Sequence, residues 1–280
     1  MKYFPKTMTP LSVAIGMSVL AGHASAQVLP VSDVHCQVMQ DSNTLNPQGP
    51  VGCDRLRLVT FPFASLDGPD GEGSVMVMDA FAEQVDDLFI ALYQRRFPLQ
   101  TALGMEHFNG DDAASMAANN TSAFNGRVIE GSTNWSLHAY GAAIDLNPVQ
   151  NPFLAIAVDG TASIDPVASA RSYVNRMSVR AEKPVRVGMA EEVIDLFAER
   201  GFLHWGGYWN YPVDYQHFEV APRRFIEYLA NAEPEQARED FLGYVQMYGG
   251  CMAEEAVLEH AAQRAQCVGR VLDYYRQWPL

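Results

Sequence analysis

The chain has 280 residues, with 19 lysines and arginines against 33 acids and a formal net charge of −14. Its 48% hydrophobic and 11% aromatic residues supply a packed core, which excludes a disordered or low-complexity chain. The acidic balance excludes a generic binder of nucleic acid or anionic membranes, which needs a basic surface. No apolar run reaches the roughly 18–20 residues of a membrane span.

Residues 1–26 read as a secretory signal peptide. Lys2 and Lys6 form a positive start, Leu11 to Ala21 a short apolar stretch, and Ala24-Ser25-Ala26 a small-residue cleavage site. Cleavage removes two lysines and no acid, leaving 254 residues from Gln27 with a net charge of −16. The expected location is the periplasm or cell envelope. The four cysteines then suggest two disulfides, with three possible connectivities. Cys36 and Cys53 flank a Pro/Gly/Asn-bearing loop and can pair locally. Cys251 and Cys267 lie along a stretch whose apolar residues Val257, Ala261, Ala265, Val268, Val271/Leu272 and Tyr275 read as one helix. Sixteen helical residues span about 24 Å, whereas bridged Cα atoms lie within about 7 Å. Either that helix breaks, or the cysteines pair otherwise and tie the N-terminal arm to the C-terminal helix.

Residues 27–73 are turn-rich and read as an N-terminal extension. Asp79 to Arg95 is predicted helical, with Phe81, Val85, Leu88, Phe89 and Leu92 on one face, ended by Phe97-Pro98. Residues 110–126 read as polar and irregular, and 127–130 and 143–146 as short strands. Residues 147–188 give only loops and a short helix. A helix is predicted over 189–200, with Gly201 as its C-terminal glycine, then a strand over 217–220 and a helix from Pro222. The acidic tail from Glu233 reads as helices with a solvated face. Short strands mixed irregularly with helices predict an α+β fold, a small antiparallel sheet with flanking helices. The boundaries expected are 27–73 for the extension, 74–230 for the main domain and 231–280 for a helical C-terminal extension.

The chain has no HExxH helix, no G-x-S-x-G elbow and no P-loop. Two segments stand out instead. The first runs Ser136-Leu-His138-Ala-Tyr-Gly141-Ala-Ala-Ile-Asp145. The second runs His204-Trp205-Gly206-Gly207-Tyr208-Trp209, followed by Asp214-Tyr-Gln-His217-Phe-Glu219. Seven residues separate His138 from Asp145. That is about 10.5 Å along a helix, and opposite faces of a strand, so both can bind one ion only if the chain turns between them. Gly141 allows such a turn. His217 would complete a three-ligand site with an open position, the arrangement of catalytic zinc. Asp214 is then a candidate proton acceptor. Glu219, two along a strand from His217, can orient it or compete for the role of base.

The ordered pattern S-x-H-x-x-G-x-A-x-D, W-G-G and D-x-x-H resembles the VanY-like D-alanyl-D-alanine carboxypeptidases, within the wider group of lysostaphin, D-Ala-D-Ala metallopeptidases and hedgehog domains. Asn119 to Arg127 also looks like the segment that precedes the first motif. The resemblance spans roughly residues 74–230. It implies a hedgehog/DD-peptidase-like fold and one Zn2+ per chain held by His138, Asp145 and His217. It implies Asp214 as base, Arg127 as support for the carbonyl oxyanion, and Ser136 as a substrate contact. Trp205, with Tyr208 and Trp209, is expected to wall the cleft; His204 has no matching role. The implied substrate is a peptidoglycan stem peptide cut at terminal D-Ala-D-Ala, or at L-Ala-D-Glu as in endolysin-like members. A non-catalytic, metal-containing wall-binding module, or a metal-free disulfide-stabilised protein, are the competing expectations. No nucleic-acid partner is expected, and the oligomeric state is open.

Overall fold

The computed structural model describes residues 1, 27–254 and 259–278. The signal-peptide reading, and Val257 of the tail, lie outside these residues. Strand β1 (Gln27–Pro30) and helix α1 (Asp33–Asp41) lead into β2 (Leu56–Ser65), β3 (Gly71–Met78) and helix α2 (Ala82–Gln94). β1, β2 and β3 form an antiparallel sheet, with β2 and β3 in register from Leu56↔Met78 to Phe63↔Gly71. The amphipathic face expected for α2 is buried, as Val85, Leu88, Phe89 and Leu92, and Phe89 stacks on Phe61 of β2 at 3.7 Å.

Residues 27–72 are therefore more than turns. The loops at 46–53 and 66–70 are real, but the segment between them is a strand buried in the core. Pro62 stands within it, although proline cannot donate to a ladder. It falls in the gap between Thr60, the last residue paired with β1, and Ala64, the first paired with β4 (Pro98–Leu99). The expected boundary at residue 73 lies inside β3.

The middle of the chain is short elements. β5 (Thr101–Ala102) pairs in parallel with β6 (Asn120–Thr121) around α3 (Asp112–Ala117). The Asp111 carboxylate caps α3 by accepting from the Ala114 N–H at 3.1 Å, so 110–126 is not wholly irregular. The strand expected over 127–130 reduces to a single bridge, Val128↔Trp135. β7 (Ala143–Asp145) forms as expected. β8 (Phe153–Ile156) and β9 (Ala162–Asp165) form a hairpin where only loops and a short helix were predicted; its turn carries Asp159-Gly160, with Gly160 at φ +86°.

The helix expected over 189–200 is a 3-10 turn (Ala190–Glu192) followed by α4 (Ile194–Glu199), and Gly201 ends it at φ +88°. β10 (His204–Trp205), β11 (Val213–Asp214) and β12 (His217–Glu219) follow. β12 lies between β10 and β7 in one antiparallel sheet, and β11 pairs with β8.

Helices α5 (Arg223–Asn231), α6 (Pro234–Ala253) and α7 (His260–Arg276) close the chain. The tail helix breaks after Ala253, which brings the Cys251 and Cys267 Cα atoms to 5.7 Å and lets them bridge; Cys36 and Cys53 also pair, at 5.9 Å. The tail is not all solvated. α6 buries Ala237, Phe241, Tyr244 and Tyr248, and Phe241 meets Phe81 edge-on at 4.7 Å. Phe241 also seats on Gly201, where a Cβ would lie 2.5 Å from the ring. One core cluster runs from Met39 to Tyr275. The fold is α+β, as predicted, with small, mostly antiparallel sheets among helices. Among the described residues, no helix is long and apolar enough to cross a membrane.

Candidate active site

His138 enters the site on a single 3-10 turn, Leu137–Tyr140. The Ser136 hydroxyl accepts from the His138 N–H at 3.3 Å, satisfying a donor that the start of the turn leaves free. Gly141 ends the turn at φ +62°. A Cβ there would lie 2.5 Å from the Met78 backbone nitrogen, so only glycine lets the chain reverse against β3. The reversal sends the chain into β7 and brings Asp145 back beside His138, which is the turn that the seven-residue spacing required. His217 stands opposite Asp145 across the β7–β12 ladder.

Three donor atoms converge there. His138 Nε2 lies 3.2 Å from His217 Nδ1 and 3.3 Å from Asp145 Oδ2, and His217 Nδ1 lies 3.0 Å from Asp145 Oδ1. The far side of each ring is already engaged. His138 Nδ1 is 2.5 Å from the Ala123 carbonyl, which can only accept, so this nitrogen carries the hydrogen. His217 Nε2 is 2.8 Å from Glu219 Oε2, a second acceptor. With both rings neutral, the lone pairs of His138 Nε2 and His217 Nδ1 face each other and a carboxylate, an arrangement that calls for a cation between them; without a metal, a proton on His217 takes that place. Ligands at about 2.0–2.2 Å from a tetrahedral zinc stand roughly 3.3 Å apart, so the donor set fits the ion; His138, Asp145 and His217 together can hold a metal.

The electrostatics agree. Burial opposes charge on Asp145, but His138 and His217 outweigh it and hold the carboxyl well below its usual range. Burial also favours neutral His217, yet Asp145 and Glu219 raise it well above the ordinary histidine range. Asp214 differs. It is carried on β11, one oxygen is buried with no hydrogen-bond partner, and burial together with the charge of Asp145 pushes its pKa up to about 7.

The residue that sequence reasoning left without a role is His204. It faces Glu219 across the β10–β12 ladder, with Nδ1 2.6 Å from Glu219 Oε1. Its other nitrogen accepts from the Trp209 indole N–H at 3.3 Å, and the Trp209 ring lies 5.4 Å from that of His217. Burial alone would raise Glu219, but hydrogen bonds from His204 and His217 bring it down to about 2. Trp209, His204, Glu219 and His217 thus form one hydrogen-bonded chain ending at the donor set.

Other expected site residues sit further back. Trp205 is 4% exposed; its ring packs near Phe218 and Tyr208, and its N–H donates at 2.9 Å to the carbonyl of Tyr215, the residue after Asp214. Ser136 is buried beneath the His138 turn. The Arg127 guanidinium is ion-paired with Asp112 and makes no described contact with the three donors.

Residues 130–220, about a third of the chain, match the model of a family described as D-alanyl-D-alanine carboxypeptidase. No curated protein and no solved structure gives a significant match. The matched residues include His138, Asp145, Asp214 and His217 and leave Arg127 outside, so the match takes in the whole convergent donor set and supports the resemblance to the VanY-like D-alanyl-D-alanine carboxypeptidases.

Proposed function

We propose that the protein is an exported zinc peptidase that hydrolyses an amide bond in peptidoglycan stem peptides, with terminal D-Ala-D-Ala as the bond cut. The reading rests on one observation: two imidazole nitrogens and a carboxylate face one another at 3.0–3.3 Å, with Asp214, one of whose oxygens is buried without a hydrogen-bond partner, close enough to feel the Asp145 charge. His138, Asp145 and His217 hold the ion. When bound, zinc supplies Lewis-acid polarisation of the scissile carbonyl and lowers the pKa of water. Asp214 accepts a proton from the attacking water and returns it to the leaving amine. Its burial suits that task, because a carboxyl titrating near neutrality can both take and give a proton.

Glu219 holds His217 with its Nδ1 lone pair toward the ion. Ser136 and Trp205 act from behind, Ser136 by fixing the His138 turn and Trp205 by fixing the backbone next to Asp214. Arg127 reaches a substrate oxygen only by leaving Asp112. An intact acid at Asp214 favours an enzyme over a binding module.

Digestion of purified muropeptides by the full-length protein, with mass analysis of the products, tests the proposal. Release of terminal D-alanine is expected, with about one zinc per chain retained through dialysis. Cleavage between L-Ala and D-Glu would keep the peptidase and move the bond. Retained zinc with no cleavage of any muropeptide would overturn the enzymatic reading.

A further inference from the structure

A second feature lies outside the donor set, in a chain whose net charge is −14. Arg171, Arg180, Lys183 and Arg186 line one cavity of about 620 Å³, together with Gln150 and Tyr173. Asp67 is the one acid among the lining residues. Arginines elsewhere mostly have carboxylate partners: Arg55 with Asp79, Arg96 with Asp70, Arg176 with Glu191, Arg264 with Asp195. The four lining cations have no described carboxylate at ion-pair distance. Outside the cavity, the same holds only for Arg95 and Arg224 among the described lysines and arginines. Four uncompensated positive charges are thus gathered in one cleft of a protein with an excess of acids.

Their hydrogen bonds do not account for the charge. Arg186 donates to the Asn175 carbonyl and stands over the Tyr173 ring at 5.2 Å. Arg180 reaches the Pro184 carbonyl at 3.4 Å, while its Nε is buried without a partner. Burial and the like charge of Arg180 hold the Arg186 guanidinium below its ordinary range, the mark of a cation missing its counter-charge.

Two contacts link the cavity wall to the strand that carries Asp214. The Gln150 carbonyl accepts from Arg176 at 2.5 Å, and the Arg176 guanidinium lies 4.3 Å over the ring of Tyr215, which follows Asp214. β8, three residues beyond Gln150, pairs with the strand that carries Asp214.

We propose that this cavity is an anion subsite that holds a carboxylate-bearing part of the peptide substrate away from the bond being cut. The inference rests on the peptide-substrate reading above. Forked guanidinium donors suit carboxylate oxygens. A basic cleft in an acidic surface also draws an anionic peptide to one place, while the rest of the molecule repels it.

The test is equilibrium binding to full-length Asp214→Asn protein, which needs no bond cleavage. The probes are a stem pentapeptide with free side-chain carboxylates, the same peptide with those carboxylates amidated, and inorganic phosphate alone. The charged peptide is expected to bind at least tenfold more tightly than the amidated one, with the margin shrinking as salt is raised. Adding Arg180→Gln and Arg186→Gln is expected to erase the margin. Lys183→Gln, at an exposed position that does not threaten folding, is expected to reduce it. Equal binding of the two peptides, or a margin unchanged in both the double variant and Lys183→Gln, overturns the subsite. Phosphate binding that depends on these cations without any charged-peptide margin overturns the assignment to substrate. If the margin is present and no muropeptide is ever cleaved, the hydrolase reading fails and the subsite stands.

Discussion

Asp214 is a carboxyl whose surroundings work against its ionisation. Burial and the Asp145 charge push its pKa up to about 7, and the base needs the ionised form, so activity falls as pH falls through its pKa. A divalent cation on the neighbouring donors pulls that pKa down, so the acid limb of the zinc-loaded enzyme is expected below pH 7. Asp214→Asn is expected to cost about 10²–10⁴ in kcat with zinc retained; a pH–rate profile and metal analysis check both. His217 gives the opposite sign. It holds a proton above the usual histidine range when metal-free, so loading expels that proton and apparent zinc affinity weakens as pH drops. His204→Ala removes a support of Glu219 and is expected to lower zinc affinity about 10–100-fold in a chelator competition. The donors themselves were legible through the resemblance carried by the ordered motifs S-x-H-x-x-G-x-A-x-D and D-x-x-H; the spacing of His138 and Asp145 said only that the chain must turn if both bind one ion, and Gly141 permits that turn. The His204–Glu219 pair was not, because it depends on the register in which the chain from 206 to 216 folds β10 onto β12.

At the scale of elements, the site hangs on the reversal at Gly141. Gly141→Ala puts a side chain at positive φ and 2.5 Å from the Met78 nitrogen, so it is expected to destabilise the fold by more than ~1 kcal/mol. A lower urea midpoint at unchanged slope checks this. Helices with a clean apolar stripe, such as α2, were readable from periodicity alone. β2 was hidden among the turn-rich loops on either side of it, and its Pro62 is harmless because neither β1 nor β4 pairs at that residue. The β8–β9 hairpin was hidden by short, half-exposed strands that show no alternation, although Asp159-Gly160 marked its turn.

At the scale of the whole molecule, the matched segment does not stand alone. Residues before 79 supply three strands of the main sheet, and residues after 233 supply helices packed on the same core. A fragment of residues 130–220 is therefore expected to lack cooperative unfolding, which circular dichroism would reveal. The Cys251–Cys267 bridge closes a loop of about 15 residues, so replacing both cysteines by serine is expected to cost about 3 kcal/mol, measured as a urea-midpoint shift. The fold class could be read from the mix of elements. The sharing of one core could not, since no local pattern tells that Phe241 will meet Phe81 and Gly201.

The contact of Phe241 with Gly201 bears on timing. The backbone that leads into His204 is backed by a helix from near the end of the chain, and His138 must meet a partner 79 residues downstream. A polypeptide emerging from its N-terminus therefore carries His138 and Asp145 well before their partner His217 exists. The donor set is complete only once His217 has been made, and the backbone leading into His204 gains its backing only when α6 follows.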